Sequence, residues 1–416
     1  HPAGTTFLRG AGTYREQAVV PREGDVFSGR GSATIVSGAR VLSGWSPRGG
    51  AWVVEGQLQQ GEKRGRCRDG FPRCDRPEEL FVDGARRRHV DDLSGLDESS
   101  WYFDYDSDVI YLGANPSGRL VELSTRPYAF RSDAPGVTIR DMAVIHYATP
   151  AQDGAVTAVG PDWRIDGVTA ADNHALGVMF RAKRTTVNDV VARGNGQMGL
   201  GGTGGDGSVI TNVELDGNNQ IGFSDEWEAG GAKFTHTSGL VIRGSYVHDN
   251  DGPGIWIGED VEGAVVEGNR SERNTGAGIF YEISRRGIIA DNDVVANGFG
   301  ESGWLWGAGI QIAASDDVEV RANRLRGNRN GIVAIQQDRG SGEFGPYLLD
   351  HIVITENTIE LGAGTLGVVE DTGDSEVFQR ELIFVGNDYL VEADASAFAW
   401  EGELLDLAGW EALGFG

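Results

Sequence analysis

The chain has 416 residues, 64 of them Gly (about twice the usual share), and carries a formal charge of −26 at neutral pH. That length allows a large core and more than one domain, while no apolar run approaches the ~20 residues that a bilayer-crossing helix needs. The acid excess repels polyanions, so neither nucleic acid nor membrane is an expected partner, and a strongly anionic polysaccharide is disfavoured as ligand.

No signal peptide is visible at His1, and a start at His rather than Met points to a processed chain. Residues 1–45 read as an N-terminal cap and first coil. Thr5-Thr6-Phe7-Leu8 and Ala18-Val19-Val20 are predicted short strands, and the stretch from Gly29 to Ala39 opens the coil. Residues 46–130 change rhythm. Leu80-Phe81-Val82, Trp101-Tyr102-Phe103, Val109-Ile110-Tyr111-Leu112 and Leu120-Val121-Glu122-Leu123 are aromatic and β-branched runs bounded by Asp-Gly and Asn-Pro-Ser-Gly turns. Such alternation predicts antiparallel hairpins in a small inserted β-domain. The only two cysteines, Cys67 and Cys74, lie within it, with Gly and Pro between them to turn the chain. A local disulfide is expected, which implies an oxidising compartment and hence a secreted or periplasmic protein. Two reduced thiols are the alternative. Two Cys without a nearby His make a poor zinc site, and neither metal nor cofactor is expected.

Residues 131–390 carry the charge excess: the chain from 131 to its end holds 19 Lys/Arg against 44 Asp/Glu, whereas residues 1–130 are nearly balanced at 17 and 18. Short apolar segments recur here every ~20–30 residues, the signature of a solenoid. Val137-Thr138-Ile139, Leu240-Val241-Ile242, Ala264-Val265-Val266, Val318-Glu319-Val320 and Ile352-Val353-Ile354 are examples. Asn173, Asn195, Asn218, Asn250 and Asn274 each precede a Gly by four residues, and Asn269, Asn292, Asn323 and Asn357 form a second register. Asn satisfies backbone groups at tight turns, so one per coil predicts stacked ladders. The predicted fold is all-β, a parallel β-helix whose coils stack at ~4.8 Å. A propeller would need longer repeats of four antiparallel strands. Residues 391–416 form a C-terminal cap, in which Leu404 to Leu413 could make a short helix over the exposed solenoid end.

Function is sought in the recurring Gly-aliphatic-x-apolar pattern from Gly231 to Gln337. The copies begin at Gly254, Gly278, Gly309 and Gly331. By period two, Ile255, Ile279, Ile310 and Ile332 face inward. The intervening residues face outward in two files: Met179, Lys233, Trp256, Phe280 and Gln311, then Arg181, Thr235, Gly258, Glu282 and Ala313. A file mixing cation, acid, amide and aromatics predicts a ligand groove; a loop covering the aromatics as a satellite core is the alternative. Two long excursions feed the same face, one bringing Trp227 and Glu228 and the other Trp304 and Trp306.

Trp256, Phe280, Trp227 and Trp304 suit the apolar faces of sugar rings, with Arg181, His248, Asp251 and Gln311 as polar contacts. Glycoside hydrolysis needs two carboxyl groups, ~5 Å apart for retention or ~6.5–9.5 Å for inversion. Glu282 is the expected general acid, its neighbours Phe280 and Trp256 making its surroundings apolar. Glu228 or Asp260 is the expected second carboxylate, with Lys233 as its electrostatic partner. His248 and Asp251 also have a simpler explanation, as hydrogen-bonding turn residues. A lyase or epimerase on uronic acids, using Lys233, Arg181 or His248, is the second reading. A non-catalytic glycan-binding solenoid is the third.

These segments carry a family resemblance. Residues from about 137 to 390 resemble the right-handed parallel β-helix repeat superfamily of carbohydrate-active proteins, the pectin-lyase-like fold. The whole order is similar to β-helix glycoside hydrolases with an inserted β-domain. The carriers are Gly10 to Arg15, Leu80 to Gly84, Trp227 to Phe234, Val247 to Trp256 and Gly278 to Ser284. The resemblance implies a poly- or oligosaccharide substrate and is compatible with a homo-oligomer. It does not fix one reaction, because the superfamily spans hydrolases, lyases, epimerases and transferases. The Asn-x-Asp and Asp-Asp pattern of the polygalacturonase group is not evident.

Overall fold

The computed structural model describes residues 1–392 and 395–416. The chain divides into two compact units, one of residues 1–179, 190–201 and 218–229, the other of 180–189, 202–217 and 230–416.

In the second unit, successive coils contribute parallel strands to the same sheet. Gly230–Thr235, Ile255–Ile257, Ile279–Glu282, Ala308–Ala313, Asn330–Gln336 and Leu366–Glu370 pair in that order. Two further strands per coil build the remaining walls, as in Val241–Arg243 with Val265–Glu267 and Tyr246–His248 with Arg270–Glu272. This is the expected parallel β-helix, not a propeller. Ile255, Ile279, Ile310 and Ile332 align and are at most 1% exposed, so the period-two assignment of the inward face holds.

The recurring Gly has a steric cause. A Cβ on Gly231, Gly254 or Gly278 would fall 2.4, 2.6 or 2.7 Å from the carbonyl oxygen of the Gly one coil on. Both expected Asn ladders form. Asn250, Asn274, Asn297 and Asn328 pass Nδ2–H···Oδ1 bonds of 2.8, 2.9 and 3.0 Å, and Asn269, Asn292, Asn323 and Asn357 run parallel at 2.9–3.1 Å. Each Asn also bonds backbone groups, so the turn's buried polar atoms are satisfied. Helix Leu407–Ala412 ends this unit, with the fully buried Trp410 set on Phe384 and Phe398.

The first unit combines coils with the hairpin region. Thr138–Ile145 pairs in parallel with Val26–Ser37 and with Arg164–Ala171. Asn173, Asn195 and Asn218 form this unit's own ladder at 3.0 Å per step. Two small sheets surround a core of Leu80, Val82, Trp101, Phe103, Ile110, Leu112, Val121 and Leu123. The first comprises Ser46–Arg48, Ala51–Glu55, Val109–Leu112, Ser100–Asp104 and Arg88–Val90; the second comprises Ala39–Val41, Val121–Ser124, Leu80–Val82 and Ala85–Arg86. One pairing departs from pure antiparallel order: Ser100–Asp104 runs parallel to Arg88–Val90. Ala18-Val19-Val20 makes only an isolated bridge, Val19 to Phe130, rather than the predicted strand. Cys67 and Cys74 form the expected disulfide, closing a loop that bridges to Phe223 through Cys67.

Candidate functional site

The outward file has the expected register. Lys233 aligns with Trp256, Trp256 with Phe280 and Phe280 with Gln311. The Lys233 ammonium lies 3.6 Å from the Trp256 ring centroid, and that ring stacks on Phe280 at 5.3 Å. Trp256 Nε1 donates to Glu282 Oε2 at 2.8 Å. The other oxygen, Oε1, is ion-paired to Arg339. Gly258 makes room for this glutamate, since a Cβ there would sit 2.9 Å from Glu282 Cβ.

Asp260 stands one coil earlier and slightly further along, its backbone N–H bonded to Ile283 O at 3.0 Å. It is 7% exposed. Its Oδ1 accepts from the Tyr347 hydroxyl at 2.9 Å and from the Glu343 N–H at 3.1 Å, and Oδ2 lies 4.0 Å from His236 Nε2. Burial, and then the bond to Asp260, push the Tyr347 hydroxyl pKa up, so Tyr347 is a proton donor here and not a base. Gly342 permits the arrangement, because a Cβ there would lie 1.8 Å from Tyr347 Oη and 2.1 Å from Asp260 Oδ1. His236, Glu259 and Asp260 together could offer three ligand atoms to a cation, as could Glu214, Asp216 and His248 elsewhere in the unit.

Several expectations need correction. Much of the outward face is not an open groove. Phe280, Val333, Ile335 and Val369 form a second apolar core under the 299–307 excursion, which supplies Leu305 and Trp306. Phe280 and Trp256 are only 6% and 8% exposed, too hidden to serve as broad sugar platforms. Gln311 is buried and accepts from Gly307 N–H at 3.2 Å, holding the loop rather than a ligand. Trp304 is half exposed, but it lines a separate cavity of about 420 Å³ with Phe378, Glu370 and Glu401. The surroundings of Glu282 are a cation and an N–H donor, not the apolar setting expected of a general acid.

His248 belongs to another wall of the coil, in strand Tyr246–His248, stacked on Tyr246 at 3.9 Å and bonded to Asp249 at 2.6 Å. Asp251 accepts from Thr275 Oγ1 at 3.0 Å, and Asp249 pairs with Arg273. These are turn contacts, the simpler of the two explanations. Arg181 is half-buried just after Phe180, which stacks on Phe234. Glu228 and Trp227 belong to the first unit. Glu228 accepts from Gln152 Nε2 at 2.8 Å, and Trp227 stacks on Phe223 beside the disulfide. Their contacts are those of a packed loop, whereas Asp260 and Glu282 lie on consecutive coils of the second unit.

Arg339, Tyr347 and His236 escaped the sequence reading. For Arg339 and Tyr347 the signal was coil length, whereas His236 sits in a coil of ordinary length, from Phe234 to Ile257. Ile255 to Ile279 spans 24 residues and Ile310 to Ile332 spans 22, but Ala334 to Val368 spans 34. The surplus forms an excursion with a tiny hairpin, Ser341–Gly342 against Gly345–Pro346, and it delivers both Arg339 and Tyr347.

A family model and the structure of XylC support the same architecture. Residues 154–325 match the family model described as "Right handed beta helix region". The structure of XylC in complex with xylose superposes with a TM-score of 0.56 at 13% identity, covering 94% of this chain and 81% of that one. The Azotobacter vinelandii mannuronan C-5 epimerase AlgE6 A-module gives 0.48 at 12% identity, covering 96% and 90%. A double mutant of the periplasmic alginate epimerase AlgG gives 0.49 at 13%, covering 94% and 78%. No curated protein sequence matches the chain. The fold is the right-handed parallel β-helix of the pectin-lyase-like type.

Proposed function

We propose that the protein is a carbohydrate-active enzyme that hydrolyses glycosidic bonds of a poly- or oligosaccharide, using Glu282 and Asp260. The observation that carries this reading is the placement of two buried carboxylates on consecutive coils, each with its own distinct partner. Stacking at ~4.8 Å puts neighbouring coils within the range that the two-carboxylate mechanism requires. Glu282, held by Arg339 and Trp256, stabilises the positive charge developing on the sugar ring and takes the proton of the water that attacks the anomeric carbon. Asp260 accepts from the Tyr347 hydroxyl at Oδ1 and, when protonated at Oδ2, passes that proton to the leaving oxygen. Lys233 borders the reacting sugar, its ammonium held over the buried Trp256 ring. XylC, a protein of this fold, binds xylose, which supports a sugar substrate. The disulfide supports a secreted or periplasmic setting.

Attack on a uronic acid by elimination or epimerisation is the second reading. It is favoured by the placement of Arg339 and Lys233 beside Glu282 and Trp256, while burial and Asp260 raise the Tyr347 pKa, which weighs against Tyr347 as the C5 base. A panel of neutral and uronic polysaccharides separates the two. New reducing ends without ultraviolet absorbance mean hydrolysis. Absorbance of an unsaturated uronate means a lyase, and an altered sugar ratio without cleavage means an epimerase. Binding with no change in any polysaccharide would leave a glycan-binding solenoid.

A further inference from the structure

The first unit contains a cavity of about 270 Å³ lined by Arg73, Arg86, Arg87, Arg88, Glu79 and His89, with Phe71 and Ile221 among its apolar walls. Four arginines line it in a protein whose net charge is −26. Their charges are poorly compensated. Among the described residues, Arg73 and Arg87 have no carboxylate within ion-pairing distance, Arg86 has Glu79 at 3.8 Å, and only exposed Arg88 has a close partner, Asp97 at 3.0 Å. Glu79, the sole carboxylate of the lining, is already engaged by His174 Nδ1 at 2.8 Å. Nearby Glu78 is taken by the Tyr105 hydroxyl.

Donors are also left over. Arg73 Nε, Arg86 Nε and Nη1 and Arg87 Nε are buried without a hydrogen-bond partner, as are the two ring nitrogens of His89, one of them a donor, while Arg73 Nη2 and Arg86 Nη2 donate to Asp91 O and Asn173 O. Orphaned buried donors cost about 1–3 kcal/mol each, more for charged groups. Their residues line one cavity, which leaves that lining short of acceptors. Burial, then the charges of Arg73, His174 and Arg76, hold His89 neutral, so the ring can donate one N–H to the ligand without adding repulsion.

We propose that this cavity binds the acidic group of a sugar, a uronate carboxylate or a sulfate ester. Arg73, Arg86 and Arg87 contact the oxyanion, and Phe71 covers the ring. The sugar half of the ligand rests on the carbohydrate reading above; the oxyanion half does not. Guanidinium forks match the planar carboxylate bidentately. Phe71 is 38% exposed on the disulfide loop, packed on Gly222, and lines the apolar side of the cavity with Ile221. The overall charge argues against anionic glycans, but screening confines that field to about 10 Å at 0.1 M salt. Residues 1–130 are nearly neutral in sum, and the lining itself sets four Arg against the single Glu79, so the local field in this cavity is cationic.

The test is calorimetric titration of the intact protein with glucuronate, galacturonate, a sulfated monosaccharide, their neutral parent sugars and inorganic sulfate. Uronate or sulfated sugar should bind at least tenfold tighter than the parent sugar, and more weakly as salt rises. Arg87→Gln and Arg73→Gln should each weaken binding tenfold or more, with the melting temperature unchanged. Phe71→Ala should weaken the sugar acid but not inorganic sulfate. Equal affinity for neutral and acidic sugars would overturn the proposal, as would unchanged binding in both Arg variants. Binding of inorganic sulfate as tightly as any sugar acid would overturn the sugar half. Because the readout is affinity, failure here is distinguishable from failure of Glu282 and Asp260 as catalysts, which turnover reports.

Discussion

Glu282→Gln separates the chemical role of this glutamate from its structural one. Its carboxylate makes two contacts: Trp256 Nε1 at 2.8 Å, and Arg339. The amide retains an acceptor for Trp256, so that bond survives. What disappears is the charge facing Arg339. A fully buried charge-assisted bond is worth about 1.5–3 kcal/mol, but the Arg339 side chain is 35% exposed and can rehydrate, which reduces the loss to about 1 kcal/mol. For a chain of this size that lowers Tm by no more than about 2 °C. If Glu282 stabilises the transition state, kcat should fall by roughly 10³-fold, about 4 kcal/mol. Arg339→Gln should cost about 10–100-fold, because it only positions and balances the carboxylate. Reducing-end release on the active polysaccharide and thermal melts of both single variants and the double variant are the assay. Retention of more than about a tenth of wild-type kcat in Glu282→Gln would refute the assignment. A thermal cycle with no coupling between positions 282 and 339 would refute the ion pair.

Tyr347→Phe removes the donor to Asp260 while sparing the fold, so kcat should fall about tenfold or more, with Tm unmoved; equal loss in both would make the hydroxyl structural. Asn292→Ala deletes two donated bonds, to Val266 O and Asn323 Oδ1, and two accepted from Asn269, inside a residue 2% exposed. The buried groups left unpaired should cost about 3 kcal/mol or more by thermal melting, and a loss under about 1 kcal/mol would deny the ladder a stabilising role. His146 stacks on Phe81 at 3.7 Å, and burial, with Arg86 and Arg15, lowers its pKa to about 3. The unfolded ring takes its proton near pH 6.5 and the folded ring does not. Stability therefore falls as pH drops below about 6.5, by about 1.4 kcal/mol per pH unit until the folded value is reached. Between pH 7.5 and 5.0 this group should remove about 2 kcal/mol. Urea unfolding of His146→Phe should show that much less acid sensitivity; an unchanged slope would show the group titrates normally.

What was legible follows from which interactions are local. The inward face was readable because a period of two and a Gly at each strand start tie neighbouring coils in one register. The Asn ladders were readable because each coil repeats the same short turn. Accessibility was not. Trp256, Phe280 and Gln311 occupy the expected file, yet the 299–307 excursion folds back and buries them, and that depends on where Leu305 and Trp306 land. Arg339 and Tyr347 lie 57 and 87 residues along the chain from the carboxylates they contact, in a segment with no apolar repeat to anchor a prediction. The arginine cavity was masked by a global sum: a charge of −26 says nothing about a region that is locally balanced.

Coil length explains where chemistry can arise in this fold. A coil of 22–24 residues spends its residues on three short strands, the Asn turns and the Gly contacts, each fixed by a neighbour above and below. Little sequence is left over to converge side chains on a ligand. The 34-residue coil escapes that constraint, and its excess carries Arg339 and Tyr347 to carboxylates that the regular coils can only display. The 31-residue coil from Ile279 to Ile310 uses its surplus differently, to seal apolar side chains. The disulfide loop of the first unit uses extra chain a third way, bringing Arg73 beside Arg86 and Arg87. Glu282 and Asp260 are therefore informative only together with the excursion that meets them. A relative that kept both carboxylates but had a 24-residue coil here would lack Arg339 and Tyr347, and the same scaffold would hold two uncoordinated acids.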